Sequence, residues 1–183
     1  VRGRFTVVGA TGDANPFDGK ATGFDAILEN PQIGGADTSF WIRQAVPLVG
    51  GGGISITGRN GILPSLRSSK DQGQSNFVNP GLLFVGLGAD ADLKPELRAI
   101  VNTAAVSFAN TTVLSVQRNQ GPIDKFAGFD TSLAVQYRPQ MIQNVVLNVS
   151  GAVFWPGKSF RQLYDEGRRG PQYSILANLL LTY

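Results

Sequence analysis

The sequence contains neither cysteine nor histidine among its 183 residues. Without cysteine, disulfides, thiolate metal sites, cysteine nucleophiles and covalently attached haem are excluded. Without histidine, Ser-His-Asp hydrolysis, histidine zinc sites and histidine proton shuttles are excluded as well. We therefore predict that the protein is not an enzyme and that it holds no cofactor and no metal.

Long hydrophobic runs are also missing. A membrane-spanning helix needs about 18 or more consecutive apolar residues, whereas the longest apolar block, Tyr173 to Tyr183, is interrupted by Ser174, Asn178 and Thr182. The 23 glycines, 10 prolines and single methionine favour short strands joined by turns over long helices. The sequence therefore predicts an all-β protein, in which any crossing of a bilayer is made by strands.

The chain has little excess charge of either sign. The 16 basic and 13 acidic residues give a formal net charge of +3. The basic residues are scattered instead of clustered, so no nucleic-acid partner is predicted. Val1 starts directly in strand-like sequence. We expect either that a signal peptide has been removed or that the chain begins partway through a longer protein.

A period of two dominates the last third of the chain. Apolar and polar residues alternate along three segments of about ten residues, the length that a tilted strand needs to cross a bilayer. Aromatic residues stand at the ends of these segments, where membrane barrels carry aromatic girdles. The alternating apolar positions are Phe129, Leu133, Val135 and Tyr137; Val145, Leu147, Val149, Val153 and Trp155; and Tyr173, Ile175, Ala177, Leu179, Leu181 and Tyr183.

Earlier segments show the same alternation. Gly81 to Ala91 and Leu97 to Ala105 predict two strands around a turn at Pro95. A helix from Glu96 to Phe108 is the alternative for the second segment, because its apolar residues also match helical spacing. The clear strands on both sides of it favour a strand. Weaker patterns predict further strands at Arg4 to Ala10, Ser39 to Pro47 and Ile54 to Arg59.

The connections alternate in length. Short turns near Gly50, Pro95 and Pro139 alternate with longer polar loops at 11–38, 60–79, 109–125 and 156–171, as is typical of outer-membrane barrels. We predict an antiparallel transmembrane β-barrel, a single domain over residues 1–183 with about eight strands and long external loops. The last loop suggests a short amphipathic helix that folds over the barrel mouth, with binding of lipopolysaccharide phosphates as the alternative. Its residues are Phe160, Arg161, Leu163, Tyr164, Arg168 and Arg169.

Five pieces of the chain are similar to one known family. They are GFDAILENP at 23–31, SFW at 39–41, LPSLRSSKDQGQSNFVNPG at 63–81, YRP at 137–139 and NLLLTY at 178–183. Together they resemble the large porin-like outer-membrane proteins that carry an alginate-export domain. Members of that family are longer than this chain, so the resemblance implies the C-terminal part of a bigger barrel or a shortened relative.

The end of the chain carries a second resemblance. A terminal aromatic residue preceded by alternating hydrophobic residues resembles the signal by which the barrel-assembly machinery recognises its clients. That machinery is therefore an expected partner. The residues of the signal are Tyr173, Ile175, Leu179, Leu181 and Tyr183.

The polar positions between the apolar ones are the candidate pore-lining residues. Six arginines against three aspartates on these positions predict a lumen that favours anionic solutes; the alternative is that the charges pair with each other. The candidates are Arg43, Arg59, Asp90, Arg98, Asn102, Asp130, Ser132, Asn148 and Asn178. The remaining charges are Arg2, Arg4 and Asp92, with Arg138 at a rim.

Two further motifs suggest binding only superficially. Gly50 to Gly53 lacks the Lys-Ser/Thr pair that a phosphate loop needs, and we interpret it as a turn. Asp13, Asn15 and Asp18 lack the glycine and the distal glutamate of a calcium loop, so a solvated external loop is expected there.

The predicted function is passage of hydrophilic, anionic solutes through a porin-like channel in a bacterial outer membrane. The alternative is a structural barrel that anchors or sheathes partner proteins. Outer-membrane lipid and lipopolysaccharide are expected to surround the barrel. Eight strands alone enclose an interior that side chains fill, so about eight closed strands favour the structural barrel and a larger number of strands favours the pore. A homo-oligomer or a larger envelope complex is left open.

Overall fold

A computed structural model of the chain describes residues 1–20, 22–23, 45–47, 53–55, 80–139, 144–163 and 170–181. These residues contain eight strands and two short helices. The strands are β1 Arg2–Ala10, β2 Ala45–Pro47, β3 Gly53–Ser55, β4 Leu82–Lys94, β5 Leu97–Ser107, β6 Phe126–Tyr137, β7 Val145–Pro156 and β8 Gln172–Leu181. The helices are α1 Thr112–Arg118 and α2 Lys158–Leu163.

Six of the strands form one antiparallel sheet in the order β1-β4-β5-β6-β7-β8, and β2 pairs with β3 in a separate hairpin. The prediction of an all-β antiparallel fold is therefore confirmed. Within the described residues the main sheet is open, with β1 at one edge and β8 at the other. A closed barrel remains a proposal.

The segment that also matched helical spacing is a strand. β5 pairs along its length with β4 on one side and β6 on the other. The alternative of a helix at 96–108 is wrong, because two flanking strands satisfy the backbone hydrogen bonds of this segment from both sides. Its β-branched residues Val101, Thr103 and Val106 also suit the pleated surface of a sheet.

The strand register places the predicted apolar stripes together. Residues directly opposite each other share a face, and the pairing aligns Leu87, Thr103, Thr131, Val153 and Tyr173 in one row across five strands. We call this side of the sheet the outer face. Its large exposed side chains are Phe5, Val7, Leu83, Val85, Leu87, Val101, Phe129, Leu133, Val135, Tyr137, Leu147, Val149, Trp155, Tyr173, Ile175, Leu179 and Leu181.

The two ends of the sheet differ. The turn at Pro95–Glu96 and the connection from Tyr137 to Val145 lie at one end, here the turn end. The connections that contain α1 and α2 lie at the other, here the helix end. The turn at Pro95–Glu96 matches a predicted short turn, and α1 and α2 lie in the predicted long loops at 109–125 and 156–171. At the predicted turn Gly50 to Gly53, the last glycine already belongs to β3 and pairs with Pro47, and Gly50 to Gly52 lie outside the described residues. Most of the predicted loops at 11–38 and 60–79 also lie outside the described residues. The remaining predicted strand residues at 39–44 and 56–59 lie outside the described residues.

The hydrophobic core lies at the helix end, on the inner face of the sheet. Strand residues Phe84, Val106 and Phe154 pack there with residues from the two helical connections. The rings of Phe154 and Phe160 are 4.9 Å apart. The helical side of this core consists of Phe108, Val113, Leu114, Ile123, Phe160 and Leu163.

The predicted amphipathic helix is present as α2 and folds onto the sheet. Phe160 and Leu163 are buried, whereas Arg161 is exposed. Tyr164, Arg168 and Arg169 lie outside the described residues. In the residues that the structure describes, no helix is long and apolar enough to cross a membrane.

Candidate functional site

The described pore-lining candidates share the inner face, opposite the apolar outer face. Two rows across the sheet carry them. The first row, near the turn end, contains Asp92, Arg98, Gln136, Asn148 and Asn178. The second row lies four residues along each strand toward the helix end and contains Gly88, Asn102 and Ser132. Asp90 and Asp130 lie on the same face in the neighbouring rows. Arg43 and Arg59 lie outside the described residues.

A charge cluster occupies the inner face where β1 meets β4. The Nε of Arg2 donates to Oδ2 of Asp90 at 2.9 Å, and Nη1 of Arg4 donates to Oδ1 of the same carboxylate at 3.2 Å. Nη2 of Arg4 also donates to Oδ1 of Asn102 at 3.1 Å. The Asp90 side chain is 6% exposed, against 60% for Arg2 and 45% for Arg4. One buried carboxylate thus holds two half-exposed guanidinium groups.

Gly88 makes this arrangement possible. It lies on β4 between Arg4 on β1 and Asn102 on β5. A Cβ at this position would be 2.5 Å from Oδ1 of Asn102 and 3.3 Å from Nε of Arg4. Because Gly88 has no side chain, the Arg4 guanidinium can pass over β4 and reach Asn102 on β5. Sequence reasoning missed this residue, although glycines at 86 and 88 on the polar positions of β4 were a signal.

A second ion pair lies at the turn end. Nε of Arg98 donates to Oδ1 of Asp92 at 2.6 Å across the turn between β4 and β5. Arg138, at the rim, donates from Nη2 to Oε1 of Gln136 at 3.2 Å. Together with Pro95, Glu96 and Leu97 these four residues line a cleft of about 240 Å³.

The described charges of the inner face nearly balance. Four of the six arginines counted from the sequence are described, and three of these four, Arg2, Arg4 and Arg98, pair with aspartates. The alternative that the charges pair with each other therefore holds for these three arginines. The other two of the six arginines, Arg43 and Arg59, lie outside the described residues.

The polar residues in the middle of the inner face are buried. Asp90, Asn102, Asp130, Ser132 and Ser150 all lie below 10% exposure. The Oδ1 atom of Asn148 is also buried and accepts no hydrogen bond from any described residue. This buried amide oxygen lies in the row between Gln136 and Asn178.

In the strands that the structure describes, the outer face is largely apolar, and its serine and threonine residues include Thr103, Thr131 and, toward the helix end, Ser107. Thr103 and Thr131 lie opposite each other, and their Oγ1 atoms are 2.9 Å apart in a hydrogen bond. These two hydroxyl groups are therefore partners for each other within the protein. Aromatic residues lie toward the ends of the face: Phe129 lies opposite Trp155 at the helix end, and Tyr137 lies at the turn end.

The predicted assembly signal lies on edge strand β8. Tyr173, Ile175, Leu179 and Leu181 all point to the outer face and are exposed. Tyr183 lies outside the described residues.

The loop after β1 differs from its prediction in one respect. The backbone N–H groups of Asn15, Phe17 and Lys20 donate to the side chains of Asp13, Asn15 and Asp18. Asp13 is buried, so the expectation of a fully solvated loop is wrong at this residue. In the described part of the chain no group of three acidic side chains is arranged to hold a metal ion.

Comparisons with known protein families, with curated proteins and with solved structures find no match to this chain. The resemblance to alginate-export-domain proteins therefore stays a prediction.

Proposed function

We propose that the six-stranded sheet is part of a β-barrel in a bacterial outer membrane and that its inner face borders a route for hydrophilic solutes. The observation that carries the proposal is the contrast between the two faces. In water an extended exposed apolar surface promotes association. In a bilayer the same surface is solvated by lipid.

The height of the outer face fits a membrane. Phe129 and Tyr137 on β6 are eight residues apart, which corresponds to about 27 Å along an antiparallel strand. A strand tilted by about 40° then spans about 20 Å along the barrel axis, close to the apolar band of about 25 Å that outer-membrane barrels present. The Thr103–Thr131 hydrogen bond agrees with this setting, because lipid offers hydroxyl groups no partner.

Closure of the barrel needs more strand pairing than the described sheet contains. Unpaired backbone groups in lipid cost several kcal/mol each, so β1 and β8 need partners. Six strands are fewer than the eight of the smallest single-chain barrels. The edge strands run antiparallel to each other, which is the relation that an even-stranded barrel requires.

A structural barrel that anchors partner proteins is the second candidate. The burial of Asp90, Asn102, Asp130, Ser132 and Ser150 favours it, because a wide water-filled lumen would leave such residues accessible. Ion conductance separates the two candidates. A folded protein that inserts into planar bilayers without conducting supports the structural role, and stepwise conductance supports the pore.

Detergent-solubilised protein should give a β-dominated circular dichroism spectrum and a band on unboiled gels that shifts after boiling. The reason is that a closed barrel pairs the backbone groups of all its strands and so resists detergent. Boiling the same sample is the internal control. A largely helical spectrum, or one band position before and after boiling, would refute the proposed barrel.

The Arg98–Asp92 pair provides a test of the lumen. Arg98→Gln should move the reversal potential toward cations, and Asp92→Asn should move it toward anions, because each change alters fixed charge beside the conduction path. The double variant should return close to the parent, since its net charge is unchanged. The shifts should be clear at about 0.1 M salt, where the Debye length is about 10 Å, and fade at 1 M. Identical reversal potentials in all four proteins would place the pair outside the path.

A further inference from the structure

The two helical connections are bonded to each other at the helix end of the sheet. The backbone N–H of Asp124, in the connection that contains α1, donates to Oε1 of Gln162 on α2 at 2.8 Å. Nε2 of Gln120 donates to the backbone carbonyl of Gln162 at 3.4 Å, and Nζ of Lys158 lies 3.3 Å from Oδ2 of Asp124. The connections therefore form one unit, residues 109–125 and 157–163, which we call the cap.

The cap lies on the inner face of the sheet. Phe84, Val106 and Phe154 point to that face, and the buried apolar side chains of the cap pack on them. The ring of Phe160 on α2 lies 4.9 Å from that of Phe154. Because the inner face of a closed barrel encloses its interior, a group packed on this face at the ends of the strands stands in the mouth of the barrel.

The position of α2 is determined at Gly157, directly before the helix. The backbone N–H of Gly157 donates to the carbonyl of Ala127 at 2.7 Å, and a Cβ at this position would lie 2.5 Å from the carbonyl oxygen of Phe126. The absence of a side chain thus allows the chain to run close against β6. The helix that follows starts beside the sheet, where Phe160 and Leu163 reach the core.

An ionised carboxylate joins the two parts of the cap on their polar side. Oδ1 of Asp124 accepts the backbone N–H of Phe126 at 3.3 Å. This hydrogen bond and the ammonium group of Lys158 lower the pKa of Asp124 below its usual value, so the carboxylate stays charged at neutral pH. Apolar packing therefore holds the cap on the sheet, and polar contacts hold its two parts together.

The size and surface of the cap suit a constriction for polar molecules. An α-helix with its side chains is about 10–12 Å across, whereas the interior of an eight-stranded barrel only just accommodates side chains. The cap would therefore fill much of the mouth unless the barrel is wide. Helical periodicity places Lys158, Arg161 and Gln162 on the side of α2 opposite Phe160 and Leu163, and all three are exposed.

We propose that the cap narrows the helix-end mouth of the barrel and sets the size of the largest hydrophilic solute that passes. The inference rests on the proposed barrel, because only a closed barrel turns the inner face into the wall of a mouth. It assigns the size limit to particular residues. Phe160 and Leu163 hold the cap against the wall, and the exposed side of α2 with Arg161 borders the opening.

The first test uses the full chain in planar bilayers and measures single-channel conductance before and after thiol labelling. The natural sequence contains no cysteine, so Arg161→Cys introduces a unique thiol. Attachment of an uncharged polyethylene-glycol maleimide should lower the conductance roughly twofold, because the polymer occupies the narrowest part of the route. Leu93→Cys is the matched control. Leu93 is exposed at the turn end and alternates with the inward-facing Asp92, so the same label there should leave the conductance unchanged.

Leu163→Ala should change the size limit in the opposite direction. The side chain of Leu163 is buried, so its loss weakens the contact between α2 and the sheet. Polyethylene glycols that enter a channel lower its conductance, whereas excluded ones do not, and a series of polymer sizes therefore measures the limit. The variant should admit larger polymers than the parent, a gain that loss of the barrel would not produce. The heat-modifiable gel band shows that the barrel is retained.

Two results in a conducting protein would overturn the inference. One is an unchanged conductance after labelling of Arg161→Cys; the other is the same polymer limit in Leu163→Ala as in the parent. Either result leaves the proposed route intact and places its narrowest part elsewhere. Absence of conductance in both the parent and Leu163→Ala would refute the route itself, and with it the role of the cap.

Discussion

Leu133→Arg should destabilise the bilayer-embedded protein by about 2–4 kcal/mol. Leu133 lies four residues from Phe129 and four from Tyr137, in the middle of the apolar stripe of β6. Its side chain is 58% exposed, so in water the substitution would remove few contacts. In the proposed barrel this position lies near the bilayer midplane, where a guanidinium group is costly. Equilibrium unfolding in urea from phosphatidylcholine vesicles measures the difference.

Leu93→Arg is the matched control. Leu93 is 61% exposed but lies near the turn end of β4, where the same substitution should cost no more than about 1 kcal/mol. Equal effects at the two positions would show that the outer face does not meet lipid. Ser132→Arg is unsuitable as a control, because Ser132 is buried and an arginine there has no room.

Phe160→Ala should destabilise the protein by about 3–5 kcal/mol, because the ring is fully buried and its removal leaves a cavity beside Phe154. The substitution should also loosen α2 from the sheet, since Phe160 and Leu163 are its buried apolar residues. Urea unfolding gives the free energy, and limited proteolysis around 158–163 reports the loosening.

Phe17→Ala provides the comparison for this prediction. Phe17 is a phenylalanine of the loop after β1 and is exposed, so its loss should change stability by less than about 0.5 kcal/mol. A similar small change for Phe160→Ala would mean that α2 does not pack on the sheet as described.

The strands and their faces were predictable because the outer face alternates cleanly with the polar positions. Leu97 to Ala105 was ambiguous alone, and only its pairing with β4 and β6 decides it. The hydrophobic core was not predicted, because Phe84, Val106 and Phe154 lie on the inner face, which the alternation marks as polar. The inner face changes from polar to apolar along its length, and a pattern of period two cannot show such a change.

The charge pairs were predictable to different extents. Arg98 and Asp92 flank the turn at Pro95, so a hairpin there already brings them together. The contacts of Arg4 with Asp90 and Asn102 join residues 86 and 98 positions apart. They depend on the register between β1 and β4, which no local signal in the sequence determines. Sequence alone therefore left open whether these arginines add to a surplus of positive charge or pair with aspartates, and the structure shows the pairing.

The contacts that the Arg4 guanidinium makes across Gly88 help to set the register in which β1 pairs with β4. β1 contains Gly3 and Gly9 and bonds to one neighbour within the described sheet, and strands rich in glycine specify their alignment weakly. A slide of β1 by two residues would keep Phe5 and Val7 on the outer face, so lipid alone could not reject it. The same slide would separate Arg4 from Asn102 and move Arg2 or Arg4 away from Asp90. The polar contacts beneath β1 thus discriminate between alignments that its hydrophobic side chains accept equally.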